Sequence, residues 1–308
     1  MLKKRMTNPL KIFAIFPGQG SQKVGMGKDL FDNYPEAKRL FLAAEESLGF
    51  PLSKICFEGP AEKLTLTDIA QPAILTVSIA FYKLNQRSGL TLSIAGAGHS
   101  LGEYSALVAA GAIDFIDAVK LVNKRGRYMQ EAVPAGNGKM IAVLGREVNE
   151  LEHIVSQVKN GIAEIANVNA PGQIVISGDV AGISEFLSIL GKAKVIELPV
   201  SAPFHSSLMK HAKEKLVLDL NSIIIKQPKF PVFSNYHAMP LTDPEEIRNA
   251  LALQVCGRVR WVECMHNGIS QFRPDEIIEF GEGSTLTGLL KRISPKAKVS
   301  NINSLKNI

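Results

Sequence analysis

Residues 92–112 read LSIAGAGHSLGEYSALVAAGA, and no other stretch of the chain restricts its possible folds as much. The run from Leu92 to Ala97 is apolar or small and has the length of a buried strand, whereas SALVAAGA, from Ser105, has the composition of a helix. Between them Gly98-His-Ser-Leu-Gly102 leaves almost no chain in which to turn from one to the other. A turn that tight favours glycine on both flanks, because a Cβ there meets backbone passing close by. A serine in the middle projects its hydroxyl from the sheet edge, beside the free N–H groups and positive dipole end of the following helix. The stretch predicts a strand-turn-helix unit and a nucleophile, Ser100. Capping of a helix over 101–111 is the alternative role for this serine, but a cap does not require a glycine on either side.

The rest of the chain repeats the alternation. Lys11 to Phe16 (KIFAIF) is a β-leaning run ended by Pro17-Gly-Gln-Gly20, and helical patterns follow at 27–47, 73–87, 101–111 and 114–132, the last with Asp114 as a cap. Strands alternating with helices predict an α/β layer fold with a largely parallel sheet. The middle has a different rhythm: strand 139–145, helix 147–159, strand 162–168, strand 173–177, helix 180–190 and strand 194–200. That β-α-β-β-α-β order is the ferredoxin-like split unit, with Asn169-Ala-Pro-Gly172 turning between its central strands. The expected organisation is a large catalytic domain, 1–133 and 203–308, carrying an inserted subdomain at 134–202. Beyond the insertion a helix at 207–223, a strand near 230–235, helices at 244–254 and 261–271, a strand at 276–280 and a helix at 284–292 complete the expectation.

Bulk composition removes several classes of function. At 308 residues, with 46% hydrophobic and 21% charged residues, the chain is an ordinary globular protein. Its apolar runs stop short of the roughly 20 residues that span a bilayer, so no membrane association is expected. The basic leader MLKKRMTNPL lacks a secretory apolar core, which leaves a cytoplasmic protein as the expectation and a transit remnant as the alternative. Cys56, Cys256 and Cys264 have neither a paired number nor a metal-ligand spacing; buried, inert thiols are expected, and neither a disulfide framework nor a metal site. The net charge of +6 is spread without a nucleic-acid-binding pattern, so an acidic protein or a phosphate-bearing carrier suits it better than a nucleic acid. Oligomeric state leaves no mark here, and a monomer is taken as the expectation.

A serine hydroxyl needs a base to take its proton. Of the six histidines, His153 and His211 fall among charged residues on helical patterns, and His237 and His266 have no distinguishing context. His99 adjoins the serine with its side chain directed away, as a wall of the pocket. His205 differs, since it lies in Ala202-Pro-Phe-His205 where the chain leaves the inserted unit and re-enters the large domain. Loops at such junctions hold catalytic groups on a rigid support. Arg125 is the other notable side chain, placed near the apolar face of the 114–132 helix, where a guanidinium calls for an anionic partner.

With these motifs together, Phe16-Pro-Gly-Gln-Gly-Ser-Gln22, Gly98-His-Ser-Leu-Gly-Glu-Tyr104, Arg125-Gly with Tyr128-Met-Gln-Glu-Ala-Val-Pro134, and Ala202-Pro-Phe-His205, the sequence resembles the malonyl-CoA:acyl-carrier-protein transacylases of fatty-acid synthesis. It is similar, more distantly, to the acyltransferase domains of polyketide synthases. The resemblance runs from about 11 to 303. It implies an α/β-hydrolase-like large domain with a ferredoxin-like insertion and a cleft between them. It also implies Ser100 as nucleophile, His205 as base and Arg125 as the clamp for the substrate's free carboxylate. The backbone N–H groups of Gln19 and Leu101 would form the oxyanion hole, and the backbone carbonyl of Gln254 would orient the His205 ring. Phe204, beside the base, would crowd a branched acyl group. No metal or redox cofactor is implied; the substrates are malonyl-CoA and phosphopantetheinylated acyl carrier protein. The sequence departs from the family at Gly257-Arg258, where relatives commonly have Asn-Pro. A serine hydrolase using the same pair, with Asp179 or Glu282 as a third member, is the competing chemistry, and a carrier-binding scaffold with a dead site the non-catalytic one.

Overall fold

In the computed structural model, residues 9–86, 92–134, 136–200, 202–304 and 306 are described; residues 1–8 of the basic leader and the expected helix end at 87 lie outside them. The first strand, β1 (Leu10–Phe16), shows why the chain layers as it does. Phe13 and Ile15 belong to one apolar cluster and Ala14 and Phe16 to another, so alternate side chains enter cores on opposite faces. Each large side chain so buried contributes about 1.5–3 kcal/mol. Helices α1 (Lys28–Asn33), α2 (Pro35–Leu48), α3 (Leu52–Glu58), α4 (Ala61–Thr65) and α5 (Thr67–Asn85) follow, then β2 (Leu92–Gly98), α6 (Gly102–Ala109) and α7 (Phe115–Glu131).

Two of these differ from the sequence expectation for reasons visible locally. The helical pattern 27–47 splits because Pro35 occupies the first turn of α2, where its fixed φ and missing N–H start a helix but cannot continue one. The helix expected from residue 73 begins six residues earlier, at Thr67, with Pro72 inside it. The carbonyl that a residue-72 N–H would have bonded, that of Asp68, instead accepts from the Asn123 side chain of α7 at 2.8 Å. A tertiary contact thus replaces the hydrogen bond that proline cannot make.

The middle of the chain forms β3 (Gly138–Leu144), α8 (Val148–Gln157), β4 (Ala163–Ala170), β5 (Gln173–Asp179), α9 (Val180–Leu190) and β6 (Lys194–Glu197). These strands make an antiparallel sheet in the order β4-β5-β3-β6 with its own apolar cluster, the ferredoxin-like arrangement. Its last strand is shorter than expected. Leu198 still bonds the Met140 carbonyl, but Pro199 has no N–H with which to extend the ladder.

The chain then runs through one 3-10 turn into α10 (Lys210–Ser222), β7 (Val232–Phe233), β8 (Pro240–Leu241), α11 (Pro244–Gln254), α12 (Trp261–Phe272), β9 (Glu276–Phe280), α13 (Thr285–Ile293) and β10 (Val299–Ile302). The large sheet has the order β10-β9-β1-β2-β7-β8, parallel throughout except for the β7-β8 pair. The helices α3 and α4 and the edge strands β8 and β10 are too short to leave a periodic signal and are not anticipated from sequence. Among the described residues no helix is long and apolar enough to cross a membrane.

Candidate active site

Parallel pairing assembles the site. Phe16 at the end of β1 lies opposite Gly98 at the end of β2, so the Pro17–Gly20 loop and the Ser100 turn emerge side by side at the carboxyl ends of adjacent strands. That edge is where open α/β sheets bind ligands. On the other side of β2, Ala97 lies opposite Phe233, which delivers Asn235 to the same turn.

The turn itself is strained. Ser100 has φ 51°, in the left-handed region that L-residues seldom occupy. A Cβ at Gly98 would stand 1.9 Å from the Gly102 carbonyl carbon, and one at Gly102 would stand 2.1 Å from the Phe16 carbonyl oxygen. Both glycines are therefore obligatory for close approach. The buried Asn235 side chain bridges the turn: its oxygen accepts from the Ser100 N–H at 2.7 Å and its amide donates to the Gly98 carbonyl at 2.7 Å. With the Ser100 N–H taken in this way, it is not free to serve an oxyanion. Neither the Gln19 nor the Leu101 backbone N–H has a hydrogen-bond acceptor among the described residues, and both residues line the same cavity as Ser100.

His205 Nε2 lies 2.7 Å from Ser100 Oγ, and its Nδ1 lies 2.8 Å from the Gln254 carbonyl oxygen. A carbonyl only accepts, so Nδ1 carries the proton and Nε2 presents its lone pair to the serine hydroxyl. Burial, followed by the neighbouring Arg125 charge, holds the imidazole down to about 3, against the opposing pull of the Gln254 carbonyl. At neutral pH the ring is an uncharged base.

Arg125, 1% exposed on α7, points its fork at the same spot. Nη1 donates to Gln71 Oε1 at 2.8 Å, while Nη2 donates to Gln254 Oε1 at 2.9 Å and Ser100 Oγ at 3.2 Å. Its Nε has no partner, and among the described residues it forms no ion pair. A buried guanidinium held only by neutral acceptors is the usual setting for an incoming carboxylate. The Tyr104 ring stacks on it at 5.4 Å.

A cavity of about 430 Å³ opens between the two sheets, lined by Gln19, Ser100, Leu101, Arg125, Phe204 and His205 on one side and by Asn167 and Val175 of the smaller sheet on the other. His99 is in its wall, its Nε2 2.7 Å from the Asn169 side-chain oxygen, and Phe204 is 6% exposed. The structure thus brings together all eight residues singled out in the sequence: Gln19, His99, Ser100, Leu101, Arg125, Phe204, His205 and Gln254. The other four histidines are exposed. Asp179 caps α9 through Gly182, and Glu282 pairs with Lys23 at 2.7 Å. Neither bonds His205, whose second nitrogen is occupied by the Gln254 carbonyl. The Gly257-Arg258 departure leaves that bond intact, because the segment is pinned to the smaller sheet. Val259 N–H bonds the Ala166 carbonyl, the Val259 carbonyl accepts from Val168, and Arg258 pairs with Glu152 at 2.8 Å.

Polar residues of the site that escape sequence reasoning include Gln71, Glu103, Asn167 and Asn235. Gln71 had a usable signal, a lone amide in the otherwise apolar IAQPAILTV run. Among the described residues no cluster of three or more His, Cys, Asp or Glu has metal-holding geometry.

The acyl transferase domain model matches residues 13–254. The chain is 46% identical to the malonyl CoA-acyl carrier protein transacylase of Bacillus subtilis, over 97% of this chain and 95% of that protein. Among solved structures, an acyl carrier protein S-malonyltransferase from Vibrio cholerae superposes with a TM-score of 0.93 at 40% identity, covering 96% of this chain and 98% of the other. A malonyl-transacylase in complex with a type II polyketide synthase acyl-carrier protein superposes with a TM-score of 0.92 at 38% identity, covering 96% and 97%.

Proposed function

Since the chain belongs to the malonyl-CoA:acyl-carrier-protein transacylases of the acyl transferase family, we propose that it moves malonyl from coenzyme A to acyl carrier protein through an ester on Ser100. The observation that carries the reading is the single oxygen, Ser100 Oγ, held at 2.7 Å by an uncharged base and at 3.2 Å by a guanidinium whose direct hydrogen-bond partners among the described residues are all neutral.

In the first half-reaction Oγ attacks the thioester carbonyl as its proton passes to His205 Nε2. The oxyanion rests on the N–H groups of Gln19 and Leu101, donors that commonly stabilise such a charge by about 2.7–4 kcal/mol each. On collapse the C–S bond breaks, and the leaving thiolate of coenzyme A takes the proton from the imidazolium. In the second half the phosphopantetheine thiol gives its proton to His205, its sulfur attacks the serine ester, and the proton returns to Oγ as the ester bond breaks. Throughout, Arg125 holds the malonyl carboxylate, and the Gln254 carbonyl keeps the imidazole in the productive tautomer. Phe204 narrows the space available to an α-branched acyl group.

The malonyl group arrives as a thioester and leaves on the carrier thiol as another thioester, so the reaction needs no further cofactor. Every group invoked comes from one chain, which supports a monomer as the working unit, and a cytoplasmic setting suits its soluble substrates. The antiparallel unit within 134–202 is read as an inserted subdomain that supplies the far wall of the cleft to a catalytic domain formed by 1–133 and 203–308.

Intact-mass measurement after mixing with malonyl-CoA is expected to show one malonyl group per chain, stable in buffer and discharged on adding phosphopantetheinylated carrier. Discharge by water at the same rate as by carrier would make the protein a hydrolase instead. The pH dependence is also specified. The base must be neutral, and its pKa is held far below the ordinary 6.5. The acid limb of kcat/KM for malonyl-CoA is thus expected well below pH 6, with the rate at pH 5.5 within about twofold of that at pH 7.5. A limb centred near 6.5 would contradict the burial account.

A further inference from the structure

Glu103 takes no part in the mechanism just described, yet it is buried directly beneath it. It lies in the first turn of α6, 2% exposed, where burial pushes its carboxyl up to about 7. A carboxyl placed there solely to fill space would be a poor choice, since an apolar side chain of the same volume carries no desolvation cost.

Its partners suggest what it does. Glu103 Oε2 accepts from Gln254 Nε2 at 2.7 Å and from the Asn235 backbone N–H at 3.0 Å. Gln254 Nε2 also donates to the Ser100 carbonyl at 2.9 Å, and Gln254 Oε1 accepts from Arg125 Nη2 at 2.9 Å. The Gln254 amide is thus clamped between acceptors on one side and a donor on the other. A carboxylate and a carbonyl require its NH2, whereas a guanidinium, which only donates, requires its oxygen. Without Glu103 the amide loses the shortest of its acceptors, leaving the Ser100 carbonyl at 2.9 Å and the Asn235 side-chain oxygen at 3.4 Å on that side. A flipped amide would set NH2 against the Arg125 fork.

We propose that Glu103 is a positioning residue that, by accepting from the Gln254 amide, turns the amide oxygen toward Arg125 and so holds the guanidinium fork where the substrate carboxylate docks. The inference rests on the reading of Arg125 as the carboxylate clamp. It leaves His205 aside, because that ring is held by the Gln254 backbone rather than by its side chain.

The test compares malonyl with acetyl transfer from their coenzyme A thioesters, as the ratio of the two kcat/KM values. Glu103→Met keeps the length and removes the acceptor, and is expected to lower the malonyl-to-acetyl ratio by about ten- to a hundredfold, the penalty of a misplaced binding group. Glu103→Gln can still present an oxygen to the Gln254 amide and is expected to keep the ratio within about threefold of wild type. In an Arg125→Ala background Glu103→Met is expected to leave the ratio unchanged. Should Glu103→Met not fold, Glu103→Asp, whose carboxylate is one methylene shorter, is expected to lower the ratio in the same direction.

A folded Glu103→Met, or Glu103→Asp in its place, that slows both transfers equally would reduce Glu103 to a structural role and overturn the proposal. So would a further fall of the ratio in the Arg125→Ala background, since Glu103 would then act by another route. An Arg125→Ala enzyme with the wild-type ratio would instead overturn the clamp reading itself, a result distinct from either.

Discussion

Replacing Ser100 by alanine is expected to lower malonyl transfer by about 10⁴- to 10⁶-fold, because it deletes the atom that carries the acyl group and leaves only the oxyanion donors and substrate binding. The fold should survive. Alanine is no worse than serine at a φ of 51°, and the bonds that hold the turn run through the Ser100 backbone, to Asn235 and Gln254, rather than through Oγ. The thermal midpoint is accordingly expected to stay within a few degrees of wild type, while the malonyl adduct vanishes from the intact mass. An adduct of wild-type stoichiometry on the alanine variant would place the acyl group elsewhere and remove the basis of the mechanism.

The second large effect concerns choice of substrate. Arg125→Ala is expected to cost malonyl transfer about 3–5 kcal/mol, or roughly 10²- to 10³-fold or more, while acetyl transfer is kept or rises. The asymmetry follows from the surroundings. A malonyl carboxylate entering a buried pocket without its guanidinium loses a counter-charge in a place where water cannot replace it. An acetyl group has no charge to satisfy there. Removing a buried cation that forms no ion pair among the described residues also relieves a desolvation cost, so the variant should remain folded. Arg125→Lys is expected to recover little, since a single ammonium cannot reproduce the fork that reaches Gln71, Gln254 and Ser100 together. Rates for malonyl-CoA and acetyl-CoA measured side by side decide the matter; an equal loss in both would show that Arg125 supports the site without reading the substrate.

Much of this was legible in the sequence because the informative features are local. The turn around Ser100 announces itself through two glycines that the backbone needs within five residues. The split β-α-β-β-α-β rhythm appears as a change of hydrophobic period and a Pro-Gly turn. His205 stands out by its position just after the last strand of that rhythm. Helix α5 is instructive in the opposite direction: Pro72 reads as a boundary until Asn123, 55 residues beyond Asp68, takes up the Asp68 carbonyl that the proline leaves unbonded.

The sequence alone determined the layer architecture and the β-α-β-β-α-β order and singled out candidate residues by their type, since periodicity, tight turns and a charge on an apolar helix face are written within short windows of chain. Only the tertiary structure decided what acts through the backbone or through a partner far away. Gln19 and Leu101, whose N–H groups have no acceptor among the described residues, line one cavity because β1 and β2 pair in register, and the Gln254 carbonyl meets His205 across 49 residues of chain. The buried link from Glu103 through Gln254 to Arg125 spans 151 and 129 residues. Peptide groups are the same at every position and a hydrogen bond does not record its sequence separation, so these contacts become visible only when the chain has folded.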